Sequence, residues 1–281
     1  MQDFEPIDRA VAYIEGHLTG PLSLQEAARL AGYSPFHFHR LFLAVTGETF
    51  AAYVRRRRLS ESARVLAESG RRTLDVALEY QYESQEAFTR AFRRQFGVTP
   101  GQYRRWGPAA NLTGRPPQSF AQGGKVMEPR IVEKDAFAIM GMVYFGENRN
   151  GEITQLWTEF NRRFEKVPHR LSEGAYGFCF MDEKTNPNFW YICAAPISRI
   201  GEIPMEMVAK TVPAHTYAVF THRGPIATLH DTYAQAYGTW LPNSGYEPAA
   251  TFDFEYYDDR FTGVDDPASE LDIYIPIKRK S

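Results

Sequence analysis

The chain has 281 residues, of which 43% are hydrophobic and 14% aromatic, and its formal net charge is −2. That length allows two domains with real cores, no apolar run reaches the roughly 20 residues needed to cross a bilayer, and the acidic, mixed N-terminus lacks a basic lead followed by an apolar stretch. These features exclude a membrane span and a disulfide scaffold and lead us to expect a cytoplasmic protein with no membrane partner. Cys179 and Cys193 have no metal-ligand spacing and read as buried thiols, so no metal and no cofactor is expected. Charge is uneven: residues 1–107 hold fifteen Arg and no Lys against twelve acids, a net of +3, while the remainder holds 17 basic residues against 22 acids, a net of −5. An all-Arg cation set suits phosphate or guanine edges, but a small net charge is weak evidence, and position must carry the argument.

In chain order, Ile7 to Leu18 is expected to be an amphipathic helix with Ile7, Val11, Ile14 and Leu18 inward, ended by Gly20-Pro21. Ser23 caps a second helix, Leu24 to Leu30, with Leu24, Ala27, Ala28 and Ala31 on its inner face, and Gly32 supplies a turn. Ser34 and Pro35 then open a third helix whose buried side is Phe38, Leu41, Phe42 and Val45. Its other side is expected to be exposed and to project Phe36, His39 and Arg40 together. Helix, Gly-containing turn, helix is the form of a DNA-reading helix-turn-helix.

Thr49 starts a long helix through Arg55-Arg56-Arg57-Arg58 to about Ser69. Its roughly 20 residues make a rod of about 30 Å, near one turn of DNA. The four arginines are either phosphate contacts or a solvated charge run. The pattern then repeats: Thr73 caps Leu74 to Tyr80, Gln81-Tyr82-Glu83 turns, and Ser84 caps a helix with Phe88, Ala91, Phe92 and Phe96 inward. Outward it carries Gln85, Glu86, Thr89, Arg90 and Arg93. Arg40 and Arg90, like Ser34 and Ser84, are 50 residues apart, which points to internal duplication. A short closing helix follows Gly97-Val98-Thr99-Pro100.

Residues 7 to 106 resemble the DNA-binding domain of the AraC/XylS transcription regulators. The likeness is carried by Ala31-Gly32-Tyr33-Ser34, Phe38-His39-Arg40-Leu41-Phe42 and Gly47, then by Ser84, Phe88, Arg90, Phe92, Phe96-Gly97-Val98-Thr99-Pro100 and Tyr103-Arg104. The resemblance implies an all-α double helix-turn-helix domain binding double-stranded DNA, with RNA polymerase as a further partner. Its base-reading candidates are Phe36, His39, Arg40, Gln85, Glu86, Thr89 and Arg90. Gln81 departs from the family, which usually has Gly at that turn.

Residues 108–126, rich in Gly and Pro, read as a linker between domains at 1–107 and 127–281. Beyond it the pattern is strand (Ala136 to Phe145), helix (Ile153 to Val167), strands (Gly177 to Met181, Phe189 to Ile197), then strand (His215 to His222), helix (Ile226 to Leu241) and strands (Thr251 to Tyr257, Leu271 to Lys278). This is an α+β domain of duplicated β-α-β-β units, and Ala195-Pro196-Ile197 matches Ile275-Pro276-Ile277. On Tyr217, Arg223-Gly224-Pro225, Glu255-Tyr256 and Asp272 to Ile277 the region resembles the GyrI-like small-molecule-binding domains. That resemblance implies an aromatic pocket with a carboxylate for a small lipophilic or cationic effector, in a monomer or weak dimer that acts as an activator. Strand alternation sets Glu255 opposite Phe254 and Tyr256. Pocket candidates are Tyr144, Trp157, Phe178, Trp190, Tyr217, Trp240 and Glu255, each aromatic being equally suited to plain core packing. Two alternatives stay open: hydrolysis of a reactive small molecule, with Glu255 and Tyr217 or His222 as an acid–base pair, and a protein-interaction module. No nucleophile triad or metal cluster favours enzymology, and His215, His222 and His230 are spread over a strand and a helix.

Overall fold

The computed structural model describes residues 5–107, 127–148, 151–172, 174–181 and 188–280; the expected linker 108–126 lies outside them. The described residues form two compact units, one of residues 5–35 and 48–107, the other of residues 36–47 together with 127–280. The division does not follow the chain. The third helix, which the sequence pattern assigns to the N-terminal domain, packs within the second unit.

The first unit contains α1 (Glu5–Gly16), α2 (Leu24–Ala31), α4 (Phe50–Glu68), α5 (Thr73–Glu79), α6 (Gln85–Phe96) and α7 (Pro100–Trp106), and the segment between α2 and α4 is α3 (Pro35–Thr46). Ser23, Thr49, Ser84 and Thr99 each accept a backbone N–H as N-caps, satisfying donors that a helix start leaves orphaned. Thr73 does not: the cap position falls on Arg72, which makes no side-chain cap bond. Phe88, Phe92, Phe96 and Tyr103 form a buried aromatic row.

The arginine run of α4 is neither solvated nor free for phosphate along most of its length. Arg56 pairs with Glu48 at 2.7 Å, Arg57 with Glu15 at 2.7 Å and Glu61 at 3.0 Å, and Arg58 donates to the carbonyls of Leu18 and Gly20 at 2.9 and 2.6 Å. Consecutive residues on a helix point about 100° apart, so the run reaches several neighbours at once and pins the unit together. Gln81 adopts a left-handed backbone, φ 64°, and donates from Nε2 to the carbonyl of Thr19 at 2.7 Å. Replacement by Gly or by Ala loses the same side-chain bond, so Gln81→Gly is expected to be more stable than Gln81→Ala by about 1 kcal/mol in urea unfolding, the cost of a Cβ in that conformation.

The second unit is built on an antiparallel sheet. Its elements are β1 (Arg130–Lys134), β2 (Phe137–Gly146), α8 (Glu152–Arg163), β3 (Ala175–Phe180), β4 (Phe189–Ile197), β5 (Val208–Val212), β6 (His215–Arg223), α9 (Leu229–Ala234), β7 (Tyr246–Pro248), β8 (Phe252–Tyr257) and β9 (Glu270–Arg279). The strand order is β1-β6-β9-β8-β3-β4-β2-β5, with β7 on β9. The two β-α-β-β repeats therefore meet at β3 and β8, and each has a lead strand that crosses to the far edge of the other: β1 pairs β6, and β5 pairs β2. Pro196 and Pro276 occupy like places, each carbonyl accepting a loop N–H, from Leu171 and from Ala249 at 2.9 Å. The short edge strands β1, β5 and β7 are absent from the sequence pattern, and the second repeat's helix is not regular. After α9 it widens into a π-helix over Gln235–Trp240.

One face of the sheet packs α8, through Phe160, and α3, through Phe36, over Met140, Cys179, Tyr191 and Cys193. The other is an aromatic layer of Tyr176, Phe178, Tyr217 and Phe254. Phe137 of β2 reaches Phe254 of β8 at 5.9 Å although β3 and β4 lie between them in the sheet, so this side curls, and it leaves a cavity of about 140 Å³ lined by Ile139, Phe178, Ile192, Val212 and Phe252. Cys179 and Cys193 are buried free thiols.

Candidate functional site

On α6 the expected reading face is open. Gln85, Glu86 and Arg90 are exposed, Thr89 is half-buried, and Arg93 and Arg94 add exposed charge in the last turn, while Phe88 and Phe92 hold the opposite side in the core. The exposed face is hydrogen-bonding and net cationic, and it lies opposite the buried apolar one.

On α3 the corresponding face is closed. The pattern predicts that Phe36, His39 and Arg40 are exposed, yet they keep 3%, 2% and 8% of their surface. The reason is chemical as much as steric. Phe36 joins the apolar layer over Phe160 and Tyr191, His39 meets the Phe189 ring at 5.5 Å, and the Arg40 guanidinium lies 4.0 Å above the Tyr233 ring. Arg40 Nε donates to Asp253 Oδ2 at 2.8 Å. His37 packs against Tyr237 at 5.1 Å. Ring-on-ring and cation-on-ring contacts of this kind favour burial of the face.

Asp253 is fully buried, and two residues along the same strand lies Glu255, 6% exposed. Alternation puts both on the helix-covered face, opposite Phe254. Glu255 accepts three phenolic hydroxyls: Tyr191 at 2.6 Å and Tyr257 at 3.3 Å on Oε2, and Tyr233 at 2.9 Å on Oε1. Trp157 of α8 donates to Tyr191 Oη at 3.2 Å, extending the chain of hydrogen bonds. Tyr237 donates to Asp253 at 2.7 Å. Tyr233 and Tyr237 stack nearly parallel, 6.3 Å apart, and the π-helical widening begins between them. Gly177, in register with Glu255, leaves the room for this: a Cβ there would run into Tyr191 Oη and Glu255 Oε2.

Burial pushes both carboxyls above their usual range, against the pull of Arg40 and the tyrosine hydroxyls. Burial likewise raises the phenols of Tyr191, Tyr233 and Tyr257, with the Glu255 charge adding to it, so they are donors throughout. His37 is pulled down to about 4 and His39 to about 3, chiefly by burial. The arrangement is a pair of buried carboxyls inside an aromatic shell, with the Arg40 guanidinium on one of them.

Of the pocket candidates, Glu255 and Trp157 meet here, and Tyr144 lies on the same face beside Phe189. Phe178 and Tyr217 belong to the opposite aromatic layer, and Trp190 stacks on Phe180. Trp240 packs on Phe220 and Tyr246. The site residues that sequence reasoning misses are Asp253, Tyr191, Tyr233, Tyr237 and Tyr257. Strand parity with Glu255 signals Asp253 and Tyr257; the other three depend on register and helix geometry. His222 is spent on Thr232 and the Pro225 carbonyl and does not reach Glu255. No group of three or more His, Cys, Asp or Glu among the described residues is placed to hold a metal, and no described helix is long and apolar enough to cross a membrane.

Comparison with known proteins agrees with both halves. Residues 130–277 match the family described as integron-associated effector binding protein, and residues 27–105 match a helix-turn-helix domain. The chain is 31% identical to transcriptional regulator Rob of Salmonella typhimurium over 95% of its own length and 96% of that protein. It is 40% identical to transcriptional regulator BrlR of Pseudomonas aeruginosa over 54% of this chain and 56% of that one. The structure of SAV2435 bound to tetraphenylphosphonium aligns with 54% of this chain and 94% of its own, at 15% identity and a TM-score of 0.46. These two relatives are regulators of transcription, and this chain belongs to their family: an AraC-type helix-turn-helix DNA-binding region followed by a GyrI-like effector-binding domain.

Proposed function

We propose that the chain is a ligand-controlled activator of transcription whose effector is a small lipophilic cation held against Glu255. The observation that carries this reading is a buried carboxylate clasped by three tyrosine hydroxyls and backed by a second buried carboxylate, Asp253. Buried carboxylates call for a counter-charge, which Arg40 supplies to Asp253 in this structure, and aromatic walls select a cation that is apolar elsewhere. Tetraphenylphosphonium is a suitable probe. Its affinity, followed by Trp157 fluorescence or calorimetry, is expected to fall at least tenfold in Glu255→Gln, and tetraphenylborate of like shape and opposite charge should not bind. Equal affinity in Glu255→Gln would remove the carboxylate from the recognition of the effector.

On the DNA side the reading assigns base contacts to Gln85, Glu86, Thr89 and Arg90 from α6, and to Phe36, His39 and Arg40 from α3 once that helix is free. RNA polymerase is the partner an activator needs. Arg90→Ala should weaken binding to a duplex selected by the wild-type chain by about 1–3 kcal/mol and leave probe binding unchanged. Undiminished affinity for the selected duplex, measured by fluorescence anisotropy, would take Arg90 out of the reader.

A further inference from the structure

The side chains of α3 that would read DNA are the ones the sheet buries, and the two uses exclude each other. A helix cannot present Phe36, His39 and Arg40 to a groove while Phe36 lies in the apolar layer, His39 on Phe189 and Arg40 on Tyr233 and Asp253. Arg40 also reproduces the chemistry of the proposed effector. It is a cation, set face-on to an aromatic ring, with Asp253 as direct partner, and Tyr233 beneath it donates to Glu255.

The fit is incomplete. Only Nε of Arg40 reaches Asp253, while Arg40 Nη2, Asp253 Oδ1 and His39 Nε2 are buried with no partner among the described residues. A guanidinium normally meets a carboxylate through two parallel bonds, and an unmade bond in the interior is expensive. A tetraaryl cation carries charge without N–H groups, so it leaves no donor stranded when it takes the same place. Exchange of the helix for such a ligand is thereby favoured by the flaw in the internal contact.

We infer that α3 is an internal ligand of the effector site, with Arg40 occupying the cation position, and that the effector acts by displacing this helix and freeing it to read DNA. The inference rests on the effector reading given above. It makes ligand binding and groove entry by α3 coupled events, and it makes Arg40 a competitor of the effector.

The full chain with tetraphenylphosphonium tests it. Amide exchange of residues 36–47 is expected to quicken at least tenfold at saturating probe, and Arg40→Ala is expected to bind the probe at least fivefold more tightly than wild type because its competitor is gone. If the probe binds but exchange in 36–47 is unchanged or slower, or if Arg40→Ala binds no more tightly, the inference is overturned and the effector reading stands. If the probe binds neither chain, the effector reading fails, and Asp253→Asn without probe decides whether the helix is latched. Tenfold faster exchange in 36–47 with the sheet amides unchanged supports the latch, and unaltered exchange overturns it.

Discussion

Asp253→Ala is expected to lower the free energy that holds α3 on the sheet by about 3–5 kcal/mol, read from amide exchange of residues 36–47. Burial works against the charge on Arg40, but its neighbours together, Asp253 foremost, outweigh that effect, so the guanidinium stays ionised. Deleting the acid leaves that charge with Tyr233, Tyr237 and Cys179, and with Glu255, whose oxygens are already taken by three tyrosine hydroxyls. The guanidinium already lacks a partner at Nη2 and cannot absorb a further loss. The double variant Arg40→Met, Asp253→Leu removes both charges at similar volume and should recover most of the protection, because the cost lies in the orphaned ion and not in the missing pair. Equal exchange in Asp253→Ala and wild type would show that the pair does not hold the helix.

Acid should release the same helix. His37 and His39 are held at about 4 and about 3, whereas an exposed imidazole titrates near 6.5. The docked helix therefore binds fewer protons than the free one below pH 6.5, and docking, intact above that pH, is lost as pH falls towards 4. Each imidazole contributes about 2–3 kcal/mol to that loss by about pH 4.5, on a slope of roughly two protons. The groups around them act in the same sense or not at all. Arg40 stays charged. Asp253 and Glu255 lose the cation that lowers their pKa when the helix leaves, so they too take up protons on release. Tyr233, Tyr237 and Tyr191 remain neutral. Whole-chain unfolding is a poor readout, since both carboxyls are raised in the folded state and favour it at low pH, opposing the imidazoles. Exchange in 36–47, corrected for its intrinsic pH dependence, isolates the effect; protection that does not change between pH 7 and 4.5 would contradict it.

Much of the architecture is legible from one-dimensional pattern. The 50-residue spacing of Ser34 with Ser84 and Arg40 with Arg90 announces a duplicated reader, and the caps at Ser23, Thr49 and Ser84 fall where local chemistry demands. Glu255 is singled out by the resemblance to GyrI-like domains, alternation sets its side of the strand, and its neighbours at ±2, Asp253 and Tyr257, follow from the same alternation. Edge strands β1, β5 and β7 are short, and two of them pair with the other repeat, so their periodicity is weak. The π-helical turn that sets Tyr237 beside Tyr233 has no periodic signature.

The sequence by itself determined the main helices and the long strands, that each half is duplicated, and that a carboxylate sits among aromatics, because caps, spacing and alternation act between near neighbours along the chain. Only the tertiary structure decided what the polar face of α3 touches. A face carrying Phe36, His37, His39 and Arg40 suits a DNA groove or an anionic aromatic pocket, and pattern cannot choose between them. Asp253 lies 213 residues away from Arg40, and the energy of a buried ion pair depends on burial and geometry that no local spacing encodes.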